Sequence, residues 1–301
     1  LLVEQLGPST RSIVEAARRR DIPVRRLSEG SLVRLGIGSK QRRIIAAETD
    51  QTSVVGETIA QDKELTRGLL EEAGIPVAKG KPVFSAEEAW QVATEIGLPV
   101  VIKPRCGNQG RGVSVGLTTQ DEVFQAYSVA ISEEEEVVVE RCLAGDDYRL
   151  LVIGGELIAA ARRCAPCITG DGSSTIEKLV QEENRNPRRC DDHAGSLSLL
   201  CLDAAAEVAL REQGFSKESI PNDGQLVLLR RNANLSTGGT AEDVTDQVHP
   251  NTIRLAIDAV RVVGLDIAGV DIMATRIDQP LSAQHGGIVE INACPGLRMH
   301  L

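Results

Sequence analysis

Val101-Ile102-Lys103-Pro104-Arg105-Cys106-Gly107-Asn108-Gln109-Gly110-Arg111-Gly112 joins a short β-rich run ending in a lysine to a loop with three glycines in six residues. Such a loop offers backbone N–H groups that can close around phosphate oxygens. It is not a P-loop, because the lysine precedes the glycines and no Gly-Lys-Ser/Thr closes the turn. Nor is it a dinucleotide fingerprint: the order is Gly-x-x-Gly-x-Gly, and Val113 to Leu117 reads as a strand where a helix should begin. What remains is a flap between two strands, serving either as a phosphate cradle or as an ordinary Gly-rich hairpin.

Around this flap, residues 82 to 140 read as strand, helix, strand, strand, helix, strand, with capping boxes at Ser85-x-x-Glu88 and Thr119-x-x-Glu122. A unit of this size suits a mobile lid. Before it, Gly56 to Gly74 reads as a helix region with Asp62 as cap and Leu65, Leu69, Leu70 and Ala73 as apolar stripe. Lys63 falls in the first turn, where a cation costs about 0.3–1 kcal/mol, so it is either solvated or serves an anion. Earlier still, Gly7-Pro8-Ser9-Thr10-Arg11 feeds a helix over Ser12 to Arg20, and Ser9 either caps that helix or binds a carboxylate. Residues 29 to 55 carry no clear periodicity, and Lys40-Gln41-Arg42-Arg43 reads as a solvated basic face.

Beyond the lid, Val137-Val138-Val139-Glu140-Arg141-Cys142-Leu143 reads as a buried strand with a charged exit, followed by Asp147 and a hairpin turning at Gly154-Gly155. Glu140 and Asp147 are candidates for purine and ribose contacts, or belong to an exposed acidic turn. Cys164-Ala165-Pro166-Cys167 with Cys190 and His193 invites a zinc site, with unlinked thiols as the alternative. Arg230-Arg231 opens a second polar, Gly-bearing loop that ends in Ser236-Thr237-Gly238-Gly239, and its arginines suit phosphate or carboxylate. His249-Pro250 starts a helix with Ile253, Ala256, Ile257, Val260 and Val263 inward and Gly264 as stop. Two strands follow, Ile267 to Met273 and Ile288 to Ala293. Strand alternation puts Glu290 and Asn292 on one face, and an antiparallel hairpin brings Asp271 beside them. Two carboxylates and an amide oxygen are hard ligands suited to Mg²⁺, and burying both carboxylates without a cation is costly.

Composition narrows the classes. The chain has 301 residues, 42% hydrophobic and 25% charged, which suits a globular protein with a real core. A net charge of -10 and only 2% aromatics argue against nucleic acid as partner. No apolar run approaches the ~18 residues that span a bilayer, so we expect a soluble, cytoplasmic protein with no membrane partner. Seven cysteines, an odd number, read as reduced thiols. With no initiating Met and an abrupt stop at Arg298-Met299-His300-Leu301, the chain is expected to be a piece of something longer.

A lysine before a Gly-rich flap, a Val-Val-Val-Glu edge and a late Asp…Glu-x-Asn set together resemble the ATP-grasp superfamily. Asp147-x-Arg149, Arg231-Asn232-x-Asn234-Leu235-x-x-Gly238-Gly239 and Asn292-Ala293-Cys294-Pro295-Gly296 are similar to its glutathione-synthetase and RimK-like branch. Within that branch the flap, the Arg231–Gly239 string and Pro295 to His300 resemble the ATP-grasp domains of the cyanophycin synthetase family; Cys106, Leu199 and Cys201 depart from its pattern. The resemblance implies an α+β ATP-grasp fold, with a small lid subdomain over a larger mixed or antiparallel-sheet core and nucleotide between them. Residues 1–75 would be the N-terminal part of the core and 76–140 the lid. Residues 141–301 would be the rest of the core, with an inserted loop and helix region near 164–200.

It further implies a ligase that uses ATP and Mg²⁺ to add aspartate to a cyanophycin primer through an acyl phosphate, homo-oligomeric in the full-length enzyme. Lys63, Lys103 and the flap residues Gly107, Asn108, Gln109, Gly110, Arg111 and Gly112 would hold phosphates. Glu140 and Leu143 would meet adenine, and Asp147 the ribose. Asp271, Glu290 and Asn292 would carry the metal. Arg231 and Arg149 would be catalytic, and Ser9, Glu57, Ser236, Thr237 and Gly238 would meet the substrates. Two other readings stand beside it: a RimK- or glutathione-synthetase-like amino-acid ligase, and a non-catalytic nucleotide-binding or oligomerisation fragment.

Overall fold

The computed structural model describes residues 6–105, 112–190, 197–230 and 232–300. The chain opens with helix α1 (Pro8–Arg18), packed on a meander of four short antiparallel strands, β1 (Val24–Arg26), β2 (Val33–Leu35), β3 (Arg42–Ile45) and β4 (Glu48–Thr49). Val14 from the helix meets Val33 and Ile44 from the sheet in a small core. This is the stretch that shows no periodicity in sequence. The helix starts four residues earlier than its pattern predicts, because Gly7 supplies the N-cap backbone and Pro8 fits the first turn.

The predicted helix region before the lid is two helices, α2 (Val54–Gln61) and α3 (Lys63–Glu72), broken at Asp62. Asp62 is extended and its carboxylate accepts the N–H groups of Glu64 and Leu65, so it starts α3 and ends α2.

The lid follows the sequence pattern element by element: β5 (Gly80–Val83), α4 (Ala86–Ile96), β6 (Val100–Pro104), β7 (Ser114–Leu117), α5 (Gln120–Glu133) and β8 (Val137–Arg141). Thr119 and Glu122 form a full capping box, whereas Glu88 returns its bond to Phe84 N–H. The strands form one antiparallel sheet in the order β5-β8-β6-β7. Val83, Val100, Ile102, Val137 and Val139 face the two helices in one core. Period-2 alternation then sends Val101, Lys103, Val138 and Glu140 to the opposite face.

The larger sheet begins with the hairpin β9 (Asp146–Ile153) and β10 (Glu156–Cys164), turning at Gly154-Gly155 as expected. Between β10 and the sheet's next strand lies an inserted unit made of β11 (Cys167–Thr169), α6 (Ile176–Glu183), β12 (Arg189–Cys190), β13 (Leu197–Ser198), α7 (Ala204–Glu212) and β14 (Leu226–Leu228). It has its own core of Ile168, Ile176, Val180, Leu200, Leu210, Val227 and Leu229, so it extends well past the helix read from sequence.

The chain then returns through β15 (Thr240–Asp243), α8 (Pro250–Val263), β16 (Ile267–Ala274) and β17 (Gly287–Asn292). The five-stranded sheet runs β15-β10-β9-β16-β17 with every pair antiparallel. His249 caps α8 and Gly264 ends it at φ 86°, a left-handed position that favours glycine. The helix buries Ala256, Ala259, Val260 and Val263 against one sheet face carrying Leu150, Val152, Val270, Ile272 and Ile291. Each such fully buried side chain is worth about 1.5–3 kcal/mol. Alternation leaves Asp147, Arg149, Arg163, Asp271, Glu290 and Asn292 on the other face. Among the described residues no helix is long and apolar enough to cross a membrane.

Candidate active site

Two sheets therefore each bury one apolar face and present one charged face, and their charged residues line a common cleft. Lys63, Arg67, Glu140 and Glu290 contribute to its walls, together with Ala78 and Val289. Strand β17 is tied to the lid's entry, where Ile288 N–H donates to Pro76 O at 2.8 Å and Val77 bridges Ile288 in parallel. That tie brings β17 beside the first lid strand.

On the lid, Lys103 Nζ lies 2.7 Å from Glu140 Oε2. The two are diagonal neighbours across β6 and β8, Lys103 standing opposite Val138 and Glu140 opposite Val101. Gly80 lies across from Glu140 on the other side, and a Cβ there would come within 2.5 Å of Glu140 Cγ. Only glycine at that position leaves the glutamate in place. Leu143, predicted at the adenine edge, is half-buried beside Gly287 of the core hairpin.

On the core, Asp271 stands directly opposite Glu290 and Gly269 opposite Asn292, as the hairpin reading expects. A bulge after Asp271 leaves Val289 as an extra residue. The carboxylate of Asp271 accepts from Arg149 Nε and, at 2.9 Å, Nη2, and also from Arg163 Nη2 at 3.0 Å. Arg163 in turn donates to Asp147 Oδ1 at 2.9 and 2.6 Å. Burial pushes the Asp147 carboxyl above its ordinary value, with Arg163 pulling the other way. Lys63 is neither simply solvated nor free: Nζ lies 3.6 Å from Glu290 Oε1, the side chains being 13% and 31% exposed. Asn292 Nδ2 is buried with no hydrogen-bond partner among the described residues.

The side chains of Asp271, Glu290 and Asn292 thus share one sheet face, offering the hard carboxylate and amide oxygens that Mg²⁺ takes. The residues present fit Mg²⁺. For zinc, no group of three or more His, Cys, Asp and Glu side chains able to hold a metal occurs among the described residues. Cys164 and Cys167 are free thiols, and His193 lies outside the described residues.

The substrate candidates divide. Ser9 does not cap its helix: Gly7 is the N-cap, and Ser9 Oγ instead accepts from Leu297 N–H at 3.1 Å, binding the helix start to the loop after Asn292. Glu57 lies in the first turn of α2, close enough to raise the pKa of Glu48 after burial. Ser236, Thr237 and Gly238 form a turn that rests on the inserted unit, with Gly238 O accepting from the buried Arg189 Nη1 at 3.1 Å. Gly112 lies at φ 67°. Gly107, Asn108, Gln109, Gly110, Arg111 and Arg231 lie outside the described residues.

Sequence reasoning missed three groups. Arg163 links the Asp147 and Asp271 carboxylates. Arg105 donates to Asp62 Oδ2 at 2.8 Å and also to Glu136, joining the lid to the start of α3. His300 is largely buried near Arg149 and its pKa falls to about 4, first through burial and then through that arginine.

Comparison with known proteins agrees with this geometry. Residues 62–149 match the model for the ATP-binding domain of the carbamoyl-phosphate synthase L chain, and residues 222–300 match the RimK-like ATP-grasp domain. The crystal structure of a bifunctional glutathione synthetase from Pasteurella multocida superposes with a TM-score of 0.72 at 30% identity, covering 98% of this chain and 41% of that one. A D-alanine–D-alanine ligase from Bacillus anthracis shares the fold alone, with a TM-score of 0.51 at 13% identity over 82% of this chain and 60% of that one. The chain belongs to the ATP-grasp superfamily, in its glutathione-synthetase and RimK-like branch.

Within that branch it is similar to the cyanophycin synthetase of Geminocystis herdmanii, with 43% identity over 98% of this chain and 34% of the relative. The cyanophycin synthetase of Trichormus variabilis is 41% identical over 98% of this chain and 33% of its own length. A glutathione biosynthesis bifunctional protein from Clostridium perfringens is 32% identical over 99% of this chain and 39% of its own length. The chain spans about a third of the length of the curated relatives it matches.

Proposed function

We propose that this chain is an ATP-dependent carboxylate–amine ligase domain that adds aspartate to the poly-aspartate backbone of cyanophycin. The observation that carries the proposal is the convergence of Lys63, Glu140 and Glu290 on one cleft between lid and core, with Lys103 and Asp271 directly behind them. Identity of 41–43% to cyanophycin synthetases across nearly the whole chain supports the choice of substrate.

In this reading the γ-phosphoryl of ATP passes to the terminal carboxylate of the acceptor chain and ADP leaves. The α-amine of aspartate then attacks the acyl carbon, forming the peptide bond and releasing phosphate. Phosphoryl transfer asks chiefly for positioning and charge neutralisation, so no side-chain nucleophile is needed. Lys63 and Lys103 exchange their carboxylate partners for phosphate oxygens, with flap residues 107–112 closing above. Glu140 and the backbone at Leu143 meet adenine, and Asp147 the ribose. Asp271, Glu290 and Asn292 would hold Mg²⁺, which would supply positive charge to offset that of the phosphates. Arg149, freed from part of its bond to Asp271, and Arg231 stabilise negative charge on the transferring group. Ser9, Glu57 and the Ser236–Gly238 turn are the candidates for the acceptor end and incoming aspartate.

The test is ADP release that requires a β-Asp-Arg primer, aspartate and Mg²⁺ together. Unchanged turnover in Lys103→Ala or Glu290→Ala protein would sink the site assignment. The likeness to glutathione-forming proteins favours a second reading, a ligase for small amino-acid or thiol acceptors. Primer-independent ligation to such an acceptor would favour it, and ATP binding without any turnover would favour a non-catalytic role.

A further inference from the structure

Arg25, Arg34 and Arg43 stand directly opposite one another across β1, β2 and β3. Val33 and Ile44 turn inward to meet α1, so the three arginines share the outer face of that sheet. Like charges in directly opposed cross-strand positions are destabilising. The sheet nonetheless sets three in a row and supplies little to offset them. Asp50 lies 3.8 Å from Arg43, and among the described residues no carboxylate pairs with Arg25 or Arg34. Arg34 Nε is itself buried without a hydrogen-bond partner. The row stands out further in a chain whose net charge is -10. A local cationic stripe of this kind selects an anionic ligand that can reach several guanidinium groups together.

The row's place in the fold says where that ligand comes from. At the far side of β3, Ile45 pairs with Glu48, and burial followed by the negative charges of Glu57 and Asp266 raises the Glu48 pKa. Thr10 Oγ1 donates to Ala46 O at 3.2 Å, holding the sheet to the same helix whose Ser9 meets Leu297. The sheet is thus joined through α1 to the loop that follows Glu290 and Asn292.

We propose that Arg25, Arg34 and Arg43 form a carboxylate-binding row that holds the part of a carboxylate-bearing peptide acceptor lying outside the catalytic cleft. The proposal deepens the ligase reading and rests on it for the identity of the acceptor. Opposed strands space the three arginines over roughly 10 Å. Same-side carboxylates of an extended peptide recur every ~7 Å, so the row engages two at once.

The test is fluorescence anisotropy with labelled β-Asp-Arg primer in the absence of ATP, using the whole chain and the variant Arg25→Gln/Arg43→Gln. Both positions are exposed, so the variant folds even if Arg34→Gln does not. Expected are binding to the parent that weakens as salt rises and about threefold to tenfold weaker binding to the variant. Equal affinity of parent and variant overturns the row, as does equally strong competition by a single-stranded oligonucleotide. Row-dependent binding in a protein that releases no ADP with primer and aspartate upholds the row and rejects the ligase reading, so the two failures are told apart.

Discussion

Lys103 and Glu140 form a nearly buried ion pair, 2.7 Å apart with side chains 7% and 8% exposed, on the face of the lid that looks toward the core. Removing one partner leaves the other charge buried and alone, which costs about 3–5 kcal/mol. Replacing both with apolar residues of similar volume is often neutral or stabilising. Glu140→Ala is therefore expected to lower the urea midpoint sharply, whereas Lys103→Met/Glu140→Leu keeps it near the parent value. The double variant is nonetheless expected to lose ATP binding in calorimetry, because Lys103 is the proposed phosphate contact. Retained ATP affinity in the stable double variant would remove Lys103 from the site.

Arg105 bridges Asp62 at the start of α3 and Glu136 just before β8, the strand that carries Glu140. Asp62 carries two jobs, since its carboxylate also caps α3 just before Lys63. Asp62→Asn keeps a capping oxygen and loses the ion pair, so it is expected to raise the KM for ATP several-fold with a smaller effect on kcat. The hydrogen bond from Arg105 holds the Asp62 carboxyl below its ordinary value despite partial burial. Its folded pKa being depressed, this contribution to stability is present above the unfolded value near 4 and is lost as pH falls below it. Melting curves from pH 5 to pH 2.5 are expected to fall less steeply in Asp62→Asn than in the parent.

Most of the fold was legible because its signals are local. The Ser85 cap, the Thr119 capping box, the Gly154-Gly155 turn and the His249-Pro250 start each act within a few residues. The pairing of Asp271 with Glu290 followed from alternation alone. Arg163 was not legible, because a bulge between Leu157 and Ala159 shifts the register by one. Counting back from the turn sets Arg162 against Asp147, the wrong face. The N-terminal sheet was hidden for another reason. Its strands are two to four residues long, and the doublets Arg25-Arg26 and Arg42-Arg43 put like residues on both faces, erasing the period of two. The Arg105–Asp62 contact spans 43 residues and exists only once the lid is docked.

His300 is held neutral by burial and by the neighbouring positive charge of Arg149, so its pKa drops from 6.5 to about 4. The folded state then binds fewer protons than the unfolded chain between those two values. Stability is full above pH 6.5 and is lost progressively as pH falls toward 4. With the ring partly exposed, the loss is about 1–2 kcal/mol. Thermal melts of His300→Gln are expected to be flatter than the parent across this window and to match it at pH 8. A parent profile already flat between pH 6.5 and pH 4 would show that the ring is solvated.

Asn292 offers the sharpest test of the metal. Its amide nitrogen is buried without a partner, while Asp271 and Glu290 stand opposite each other on the neighbouring rungs. Asn292→Asp keeps the shape and adds a third negative charge to that face. Without a cation the added charge repels its neighbours, and the melting temperature is expected to drop. With a cation the same oxygen binds more tightly. A ligand at a hundred times its Kd contributes about 2.7 kcal/mol, and each kcal/mol moves the melting temperature of a chain this large by about 2–4 °C. In the presence of ATP, the shift produced by Mg²⁺ is therefore expected to be larger in Asn292→Asp than in the parent and absent in Glu290→Ala. Equal shifts in all three proteins would place the metal elsewhere, because only a cation touching this face distinguishes an amide from a carboxylate at position 292.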